Sequence, residues 1–333
     1  MVKSIVNSVL GIALALIGST ANAQPVKLKF AFEFSDRTPF FIQVVKSMAD
    51  AMNASNEVNI ELYSGGVLGK GPQRQAQMLL DGTADLSFVL TQAIPSFSDN
   101  AAMELPGLYS SLSEVSLVYT RLVAAGALRG FDDFYPIGLF ASEPKSIHAR
   151  RPIASLDDLK GLKIRSSGPL EAAAFAKLGI EPVIMPVPAV AEAISAGRID
   201  GAAVPISVLP ELGIGRVTSH HYMLPASADT IAILMSRKTF DRLPPNAQAV
   251  IRRHSSESAA VPYNATYEKI NEDIIDQLKS DARRKVVTPT PSDLNRAQSV
   301  FSSVVSDWAA KDPRHQELLR LVKAEIAKYR ATR

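Results

Sequence analysis

The sequence contains no cysteine among its 333 residues. Disulfide bonds are therefore excluded as a source of stability, and the folded chain has to rely on a buried apolar core. The composition can supply that core, because 47% of the residues are hydrophobic and 21% are charged. These proportions are typical of a globular protein and not of a disordered chain.

The chain also has little net charge. Its formal charge is +3 at pH 7, and removal of residues 1–23 would take away Lys3 and no acidic residue, which leaves +2. A nucleic-acid partner is not indicated, since such partners select a concentrated basic surface. The basic run Arg283-Arg284-Lys285 is ordinary for a solvated helix end or loop.

No hydrophobic run is long enough to cross a bilayer. The apolar stretch Val9–Ile17 is well short of the roughly 20 residues that a membrane span needs, which argues against a membrane anchor. Lys3 precedes this stretch and Ala21-Asn22-Ala23 follows it, which is the pattern of a cleaved secretory signal. We therefore expect residues 1–23 to be a signal peptide and the mature protein to work in the periplasm.

The mature chain alternates strands and helices. A strand over Val26–Phe32 is followed by a helix that Thr38 caps, and the helix Pro169–Leu178 ends at Gly179 before the next strand. This order predicts right-handed crossovers and doubly wound α/β sheets in two lobes. The expected boundaries are residues 24–146 with about 233–262 for lobe I, and 147–232 with about 263–333 for lobe II.

A periodic helical stretch begins after Leu243-Pro244-Pro245 and runs to about Lys285, with an interruption expected at Pro262. A helix of ~40 residues extends about 60 Å, farther than one lobe, so we expect it to brace both. Two more helices, over Ser292–Ala310 and His315–Tyr329, are expected to cover lobe II. No flexible linker is evident, which predicts that several segments of chain cross between the lobes.

Motifs for catalysis or cofactor binding fail on inspection. The glycine-rich run Gly65–Gly71 has Ser64 where a phosphate-binding loop needs glycine, and it has Gly71 where that loop needs Ser or Thr. The five histidines are scattered, without the spacing of a zinc site. No Gly-x-Ser-x-Gly elbow occurs. We expect no cofactor, no metal and no catalytic residue, although a triad assembled from distant positions stays open.

Arg165 stands out among the charged residues. It ends the predicted strand Leu162–Arg165, Ser166-Ser167-Gly168 follow it, and Pro169 opens a helix. A carboxylate placed there would meet a bidentate guanidinium, the Ser167 hydroxyl and free backbone amides at a helix N-terminus. The spacing leaves a second interpretation open, in which Arg165 forms a surface or interlobe salt bridge.

Several ordered stretches resemble the substrate-binding proteins of tripartite ATP-independent periplasmic (TRAP) transporters, dicarboxylate type. The resemblance covers nearly the whole mature chain. The stretches are Tyr63–Gly69, Gln77–Leu86, Leu156–Arg165, Ala196–Gly201 and Lys238–Pro245. The resemblance implies a two-lobed receptor of the periplasmic-binding-protein fold, with crossing strands and a long bracing helix. Such a receptor closes on a small organic acid and delivers it to an ion-gradient-driven membrane permease, without any chemistry of its own.

The resemblance also implies roles for individual residues. Arg165 matches the arginine that grips the ligand carboxylate, and Lys145 matches a second basic position that is arginine in some members. Two positions depart from the family pattern. Val204 replaces a ligand-contacting asparagine, and Val187 stands at an aromatic or bulky position. We therefore expect a carboxylate ligand with an apolar or compact body and not a polyhydroxylated sugar acid.

Further ligand contacts are expected at chain ends that face the cleft. These residues are Phe34, Ser35, Thr91, Gln92, Ser167 and Asp229. The expected receptor is a monomer. A periplasmic hydrolase on a two-lobed scaffold and a sensory receptor that docks on a membrane kinase are the alternatives left open.

Overall fold

The computed structural model describes residues 24–332. The predicted signal peptide, residues 1–23, lies outside the described residues. The strands of the described chain form two sheets. They are β1 (Val26–Ala31), β2 (Val58–Tyr63), β3 (Leu86–Leu90), β4 (Phe134–Ala141), β5 (Ser146–Ala149), β6 (Lys163–Ser166), β7 (Glu181–Ile184), β8 (Gly201–Val204), β9 (His220–Tyr222), β10 (Thr230–Ser236) and β11 (Lys285–Val287).

Sheet A has five strands in the order β2-β1-β3-β10-β4. Strand β1 runs parallel to β2 and β3, whereas β10 is antiparallel to both of its neighbours, β3 and β4. Leu28 and Phe30 of β1 are buried while Lys27 and Lys29 are exposed, as the alternation of side chains along a strand requires. Apolar clusters cover both faces of this sheet and form the core of lobe I.

Sheet B has six strands in the order β11-β9-β5-β8-β6-β7. Strand β6 is parallel to β7 and β8, and β5 is antiparallel to β8 and β9. The chain passes from β6 to β7 on one side and returns to β8 on the other, so strand order reverses at β6. The expected doubly wound α/β lobe is confirmed.

Helices surround the two sheets. They are α1 (Ser47–Asn53), α2 (Pro72–Asp81), α3 (Leu112–Ala124), α4 (Pro169–Lys177), α5 (Val190–Ser195), α6 (Val208–Glu211), α7 (Ile214–Val217), α8 (Arg237–Arg242), α9 (Pro245–Arg253), α10 (Glu257–Ser280), α11 (Pro291–Ala309) and α12 (Pro313–Ala331). The predicted cap at Thr38 is confirmed. Its hydroxyl accepts the backbone N–H of Phe41, in the helical segment that leads into α1. Within residues 24–332, no helix combines the length and apolar character that crossing a membrane requires.

Two segments of chain cross side by side from one sheet to the other. Residues 142–145 join β4 of sheet A to β5 of sheet B, and residues 223–229 join β9 to β10. The segments are hydrogen-bonded to each other: Ser142 N–H donates to the Asp229 carbonyl at 2.9 Å, and Lys145 N–H to the Ser227 carbonyl at 2.8 Å. The expected crossing strands are thus present, and the lobe boundaries drawn from the sequence stay a prediction.

The long helical segment packs on both lobes, as expected. Tyr263 and Tyr267 of α10 lie in the core of lobe I, whereas Ile274 and Leu278 lie in that of lobe II. The position expected for its interruption was wrong. Pro262 lies inside α10, and the helical segment breaks at residues 254–256, where Ser256 has a φ of 62°. A serine with a positive φ interrupts the regular helix, whereas Pro262 removes only one backbone hydrogen bond from it.

The expectation that the last two helices cover lobe II was wrong for α12. Helix α11 packs on lobe II through Phe301 and Val304. Leu318, Val322 and Ile326 of α12 lie in the core of lobe I, together with residues of α3. The helix itself was predicted correctly, but the helical spacing of its apolar residues carries no information about which sheet they cover.

A pair of buried histidines joins β5 to β9. His148 and His221 are opposite each other in the sheet, and their Nδ1 atoms are 2.9 Å apart. His148 Nε2 lies 3.3 Å from the Val204 carbonyl and donates to it, so its Nδ1 accepts from His221. Burial, reinforced by the neighbouring His221, lowers the pKa of His148 to about 3. Burial and the charge of Arg284 lower that of His221 to about 4.

These pKa values predict that acid destabilises the fold. An unfolded histidine binds a proton as the pH falls below ~6.5, whereas the folded pair stays neutral to about pH 4. The free energy of unfolding should therefore fall by about 1.4 kcal/mol per pH unit for each histidine in that interval. Urea unfolding of His221→Leu between pH 6.5 and 4.5 should show a slope shallower by about that amount. Lys285→Gln, an exposed change in the adjacent β11, should keep the wild-type slope, and equal slopes in all three proteins would contradict the assignment.

Candidate functional site

Arg165 lies near the end of β6, at the edge of sheet B where the crossing segments enter. Ser146, the first residue of β5, is opposite Val204, the last residue of β8, and β6 runs parallel to β8. The carboxyl ends of the parallel strands therefore face the crossing segments and lobe I. Ligands of open α/β sheets bind at such an edge, where strand order reverses.

The guanidinium of Arg165 is buried but bonded only to neutral acceptors. The residue is 5% exposed. Its Nε donates to the Met185 carbonyl at 3.0 Å, and its Nη1 donates to the Ala203 carbonyl at 3.2 Å. Within the part of the chain that the structure describes, no carboxylate forms an ion pair with Arg165 and Nη2 has no hydrogen-bond acceptor. The salt-bridge interpretation does not describe this arginine in the described chain, because both of its recorded partners are carbonyl oxygens.

Lys145 is the centre of a buried ionic cluster next to Arg165. Its side chain is 1% exposed, and its ammonium lies 2.8 Å from Asp229 Oδ1, 3.0 Å from Glu171 Oε1 and 2.5 Å from the Ser167 hydroxyl. The ammonium donates hydrogen bonds to Asp229 and Ser167, and Glu171 lies within ion-pair distance of it. Lys145, Ser167 and Asp229, all predicted site residues, are thus brought together. These contacts give the lysine a positioning role in the cluster, and a direct contact between Lys145 and a ligand stays a prediction.

Mutual attraction keeps this cluster ionised in spite of burial. Burial opposes the charge on Lys145, but the carboxylates of Asp229 and Glu171 outweigh it and raise the pKa of the lysine. Burial likewise opposes ionisation of Asp229, and the charges of Lys145 and Arg165 overcome it and lower the pKa of that carboxyl. Since Arg165 influences both groups, the arginine and the cluster form one electrostatic unit.

A cavity of about 640 Å³ lies between the two lobes beside this cluster. Its polar wall contains Gln92, Glu104, Ser167, Glu171 and Ser227. Its apolar wall comes from lobe I, from the start of α4 and from the last two helices, and includes Ile94, Pro95, Phe97, Leu170 and Trp308. Gln92, a predicted site residue, therefore faces an interlobe space, and its buried Oε1 has no hydrogen-bond partner in the described chain.

Thr91, the neighbour of Gln92, is fully buried inside lobe I. Its hydroxyl donates to Thr230 Oγ1 at 2.8 Å and lies 3.3 Å from the Tyr119 hydroxyl. Thr230 in turn donates to Glu104 Oε1 at 3.0 Å. Thr91 therefore supports the wall that carries Glu104, and its hydroxyl is occupied within the protein.

Val204 and Val187 belong to one apolar cluster on a face of sheet B. Val204 is completely buried, while Val187 is half-buried in a short helical turn before α5. Arg165 follows Ile164, which packs on the opposite face, so alternation places the arginine on the face that carries Val204. The two valines and the arginine thus share one side of the sheet.

Phe34 and Ser35 follow β1 in lobe I. The ring of Phe34 packs edge-on against Phe32 and Phe88, with centroids 5.9 and 5.8 Å apart. Ser35 is exposed, and its hydroxyl accepts the backbone N–H of Arg37 at 3.2 Å. The structure records no contact between these two residues and the Arg165 cluster, so their role in the site stays a prediction.

Two carboxyls of the site, Glu171 and Glu104, were missed by sequence reasoning. Glu171 carried a readable signal: it is the third residue of α4, and its Oε2 accepts the backbone N–H of Ser167 at 2.8 Å, as an acidic residue does in a capping box. Glu104 carried none, because its partners are distant in sequence. Residues 24–332 contain no group of three or more His, Cys, Asp or Glu side chains that could hold a metal ion.

Replacing Lys145 tests the cluster. The change Lys145→Met would leave Glu171 and Asp229 buried without their counter-ion, which costs about 3–5 kcal/mol of unfolding free energy for a buried pair. Chemical unfolding at pH 7 measures this loss. The matched control Lys269→Met removes an exposed ion pair with Asp273 and should cost less than about 1 kcal/mol. Equal, small losses in both variants would show that the cluster is not what holds this region together.

Comparison with known proteins places the chain among binding proteins. It is 23% identical over 265 residues to a solute-binding protein of Roseobacter denitrificans, a match that covers 78% of this chain and 81% of the relative. A marine metagenome TRAP solute binding protein specific for aromatic acid ligands, solved with metahydroxyphenylacetate, has the same fold. The TM-score is 0.84 at 24% identity, over 91% of this chain and 99% of that one.

A third relative has a different ligand. The sugar acid binding protein of Advenella mimigardefordensis, solved with galactonate, has a TM-score of 0.77 at 19% identity, over 92% of this chain and 99% of that one.

The decisive match is to a family model, that of DctP, which covers residues 30–312. The resemblance to TRAP receptors found in the sequence is confirmed, and so is the periplasmic location. The chain belongs to family 7 of the bacterial extracellular solute-binding proteins, a family that binds solutes and does not transform them.

Proposed function

We propose that the protein captures a small organic acid with an apolar or compact body, holds its carboxylate on Arg165 between the two lobes, and delivers it to the membrane permease of a TRAP transporter. The observation that carries this proposal is the state of Arg165: a guanidinium that is 5% exposed and bonded only to carbonyls. A buried guanidinium with no carboxylate in direct contact leaves hydrogen-bonding capacity unused, which is costly. A ligand carboxylate would supply that contact through a bidentate pair of charge-assisted hydrogen bonds.

The surroundings of Arg165 favour an apolar ligand body. Val204 and Val187 lie on the face of sheet B that carries the arginine, and neither side chain can form a hydrogen bond. A polyhydroxylated acid would lose its hydrogen bonds to water there without replacement, which costs about 1–3 kcal/mol for each group. Among the relatives, the receptor for aromatic acids has the higher TM-score, 0.84 against 0.77 for the galactonate receptor, which supports the same choice.

Lobe closure follows from the way in which the site is divided. Arg165 belongs to β6 and Ser167 lies between β6 and α4, whereas Gln92 and Glu104 belong to lobe I. Ser167, Gln92 and Glu104 line the interlobe cavity. The lobes are connected by the paired crossing segments and by the helical segment that breaks at Ser256, and a few such positions can act as hinges. A ligand that contacts both lobes would stabilise the closed state. Recognition of that closed state by the permease is the proposed route of delivery.

A thermal-shift screen tests the ligand class. Benzoate, mandelate and metahydroxyphenylacetate should raise the unfolding temperature of the mature protein, and galactonate should not. The expected stabilisation is about 2.7 kcal/mol when the ligand is present at one hundred times its Kd. A shift with galactonate and with none of the aromatic acids would refute the apolar ligand class while leaving the solute-binding function intact.

Arg165→Ala tests the anchor. Loss of the charged pair should weaken binding of the best aromatic acid at least ~100-fold, which corresponds to about 3 kcal/mol. Arg165→Lys keeps the charge but loses the planar fork, so its affinity should lie between that of the wild type and that of Arg165→Ala. Isothermal titration calorimetry measures all three proteins. Arg198→Ala, the matched control, removes an exposed arginine paired with Glu192 and should bind as the wild type does; equal affinity of Arg165→Ala and wild type would refute the anchor.

A further inference from the structure

The charged groups of the site do not balance if all of them ionise. Lys145 and Arg165 supply two positive charges, and the carboxyls of Glu104, Glu171 and Asp229 face them. Full ionisation would leave this group with a net charge of −1 before any ligand enters. An anionic ligand would then have to bind next to an excess of negative charge in a region of low dielectric constant, where like charges repel strongly.

Glu104 is the carboxyl with the weakest compensation. Glu171 and Asp229 each contact the ammonium of Lys145 within 3.0 Å, whereas the hydrogen bond recorded for Glu104 comes from the neutral Thr230 hydroxyl at 3.0 Å. Burial raises the pKa of Glu104 first, and the charge of Asp229 raises it further, to about 8. Glu104 is therefore expected to retain a proton at neutral pH.

The groups that face Glu104 come from each element packed around it. Lys145 and Asp229 lie on the crossing segments, Glu171 lies on α4, and Tyr109 and Tyr119 face it within lobe I. The outer wall of the cavity carries Lys177, Asp307, Lys311 and His315. Lys177 and Asp307 pair with each other at 2.6 Å on that outer wall. Glu104 is packed among these groups but remains partly exposed where it lines the cavity, so its proton can exchange without unfolding.

We infer that Glu104 is a proton-binding residue that sets the affinity of the site for a carboxylate: the protonated form leaves the charged group neutral and able to accept one anion, and loss of the proton weakens binding. This inference rests on the proposed function, because it assumes that a carboxylate binds at Arg165. The inference also predicts a preference among ligands. With Glu104 protonated the charged group has no net charge and can accept one added negative charge, so monocarboxylates should bind more tightly than dicarboxylates with the same carbon skeleton.

The test is the pH dependence of benzoate binding, measured by calorimetry from pH 6 to pH 9. Benzoate is ionised throughout this range, so a change in affinity reports on the protein. Wild-type affinity should be constant at low pH and fall as the pH rises through about 8, by up to tenfold per pH unit. Binding at pH 8.5 should take up a fraction of a proton, which appears as a difference in heat between two buffers of unlike ionisation enthalpy.

The variant Glu104→Gln should show neither the decline in affinity at high pH nor the proton uptake on binding. Asp307→Asn is the matched control, because it makes the same carboxylate-to-amide change on the exposed outer wall of the cavity, and it should retain both. A wild-type affinity that is flat from pH 6 to 9, or a decline that persists in Glu104→Gln, would overturn the inference.

A second measurement separates this inference from the proposed function. If none of the acids binds, the proposed function fails, yet the proton on Glu104 still shows in the free energy of unfolding. A carboxyl whose pKa is raised by folding contributes stability at low pH that is lost as the pH rises to about 8. The wild type should therefore lose stability relative to Glu104→Gln between pH 5 and pH 8. A difference that does not change with pH would overturn the inference.

Discussion

The contacts of one lysine hold the ligand-facing part of the molecule together. Lys145 lies on the first crossing segment, and its ammonium is bonded to Asp229 on the second and to Glu171 and Ser167 at the start of α4. Because these contacts join both crossing segments to the segment that leads into α4, they fix the position of α4 relative to the crossing segments. The adjacent Arg165 is thereby presented from a rigid support. A flexible support would reduce affinity by the cost of ordering it on binding.

The site combines a buried lysine whose carboxylate partners contact it directly with a buried arginine that has no carboxylate in contact. Lys145 pairs with Asp229 and Glu171, whereas Arg165 is bonded to the carbonyls of Met185 and Ala203. Carbonyl oxygens orient the guanidinium without neutralising it, so its attraction for an anion remains available. The valines on the same face of sheet B have no hydrogen-bonding group on their side chains. Under the proposed function, charge would recruit the carboxylate and these apolar side chains would select the rest of the molecule.

Sequence patterns predicted the local elements well because periodicity and capping are local properties. The strand that carries Arg165, the cap at Thr38 and the helix α12 could all be predicted. The lobe that α12 covers could not, since Leu318 and Val322 meet lobe I through contacts distant in sequence. The same limit hid Glu104, whose neighbours Lys145 and Asp229 come from crossing segments far along the chain. Arg165 could be singled out as a candidate because strand end, small polar residues and helix start are consecutive, and the family resemblance then favoured a ligand role over a salt bridge.

The central claim is that a carboxylate occupies the outer edge of the Arg165 guanidinium between the lobes. A crystal structure of the mature protein with 4-bromobenzoate tests it most directly, because anomalous scattering from bromine places the ligand without ambiguity. We predict that the carboxylate lies within hydrogen-bond distance of Arg165 Nη2 and that the ring lies beside Val204 and Val187. A fully occupied ligand bound elsewhere, with Nη2 still without an anion, would contradict the claim.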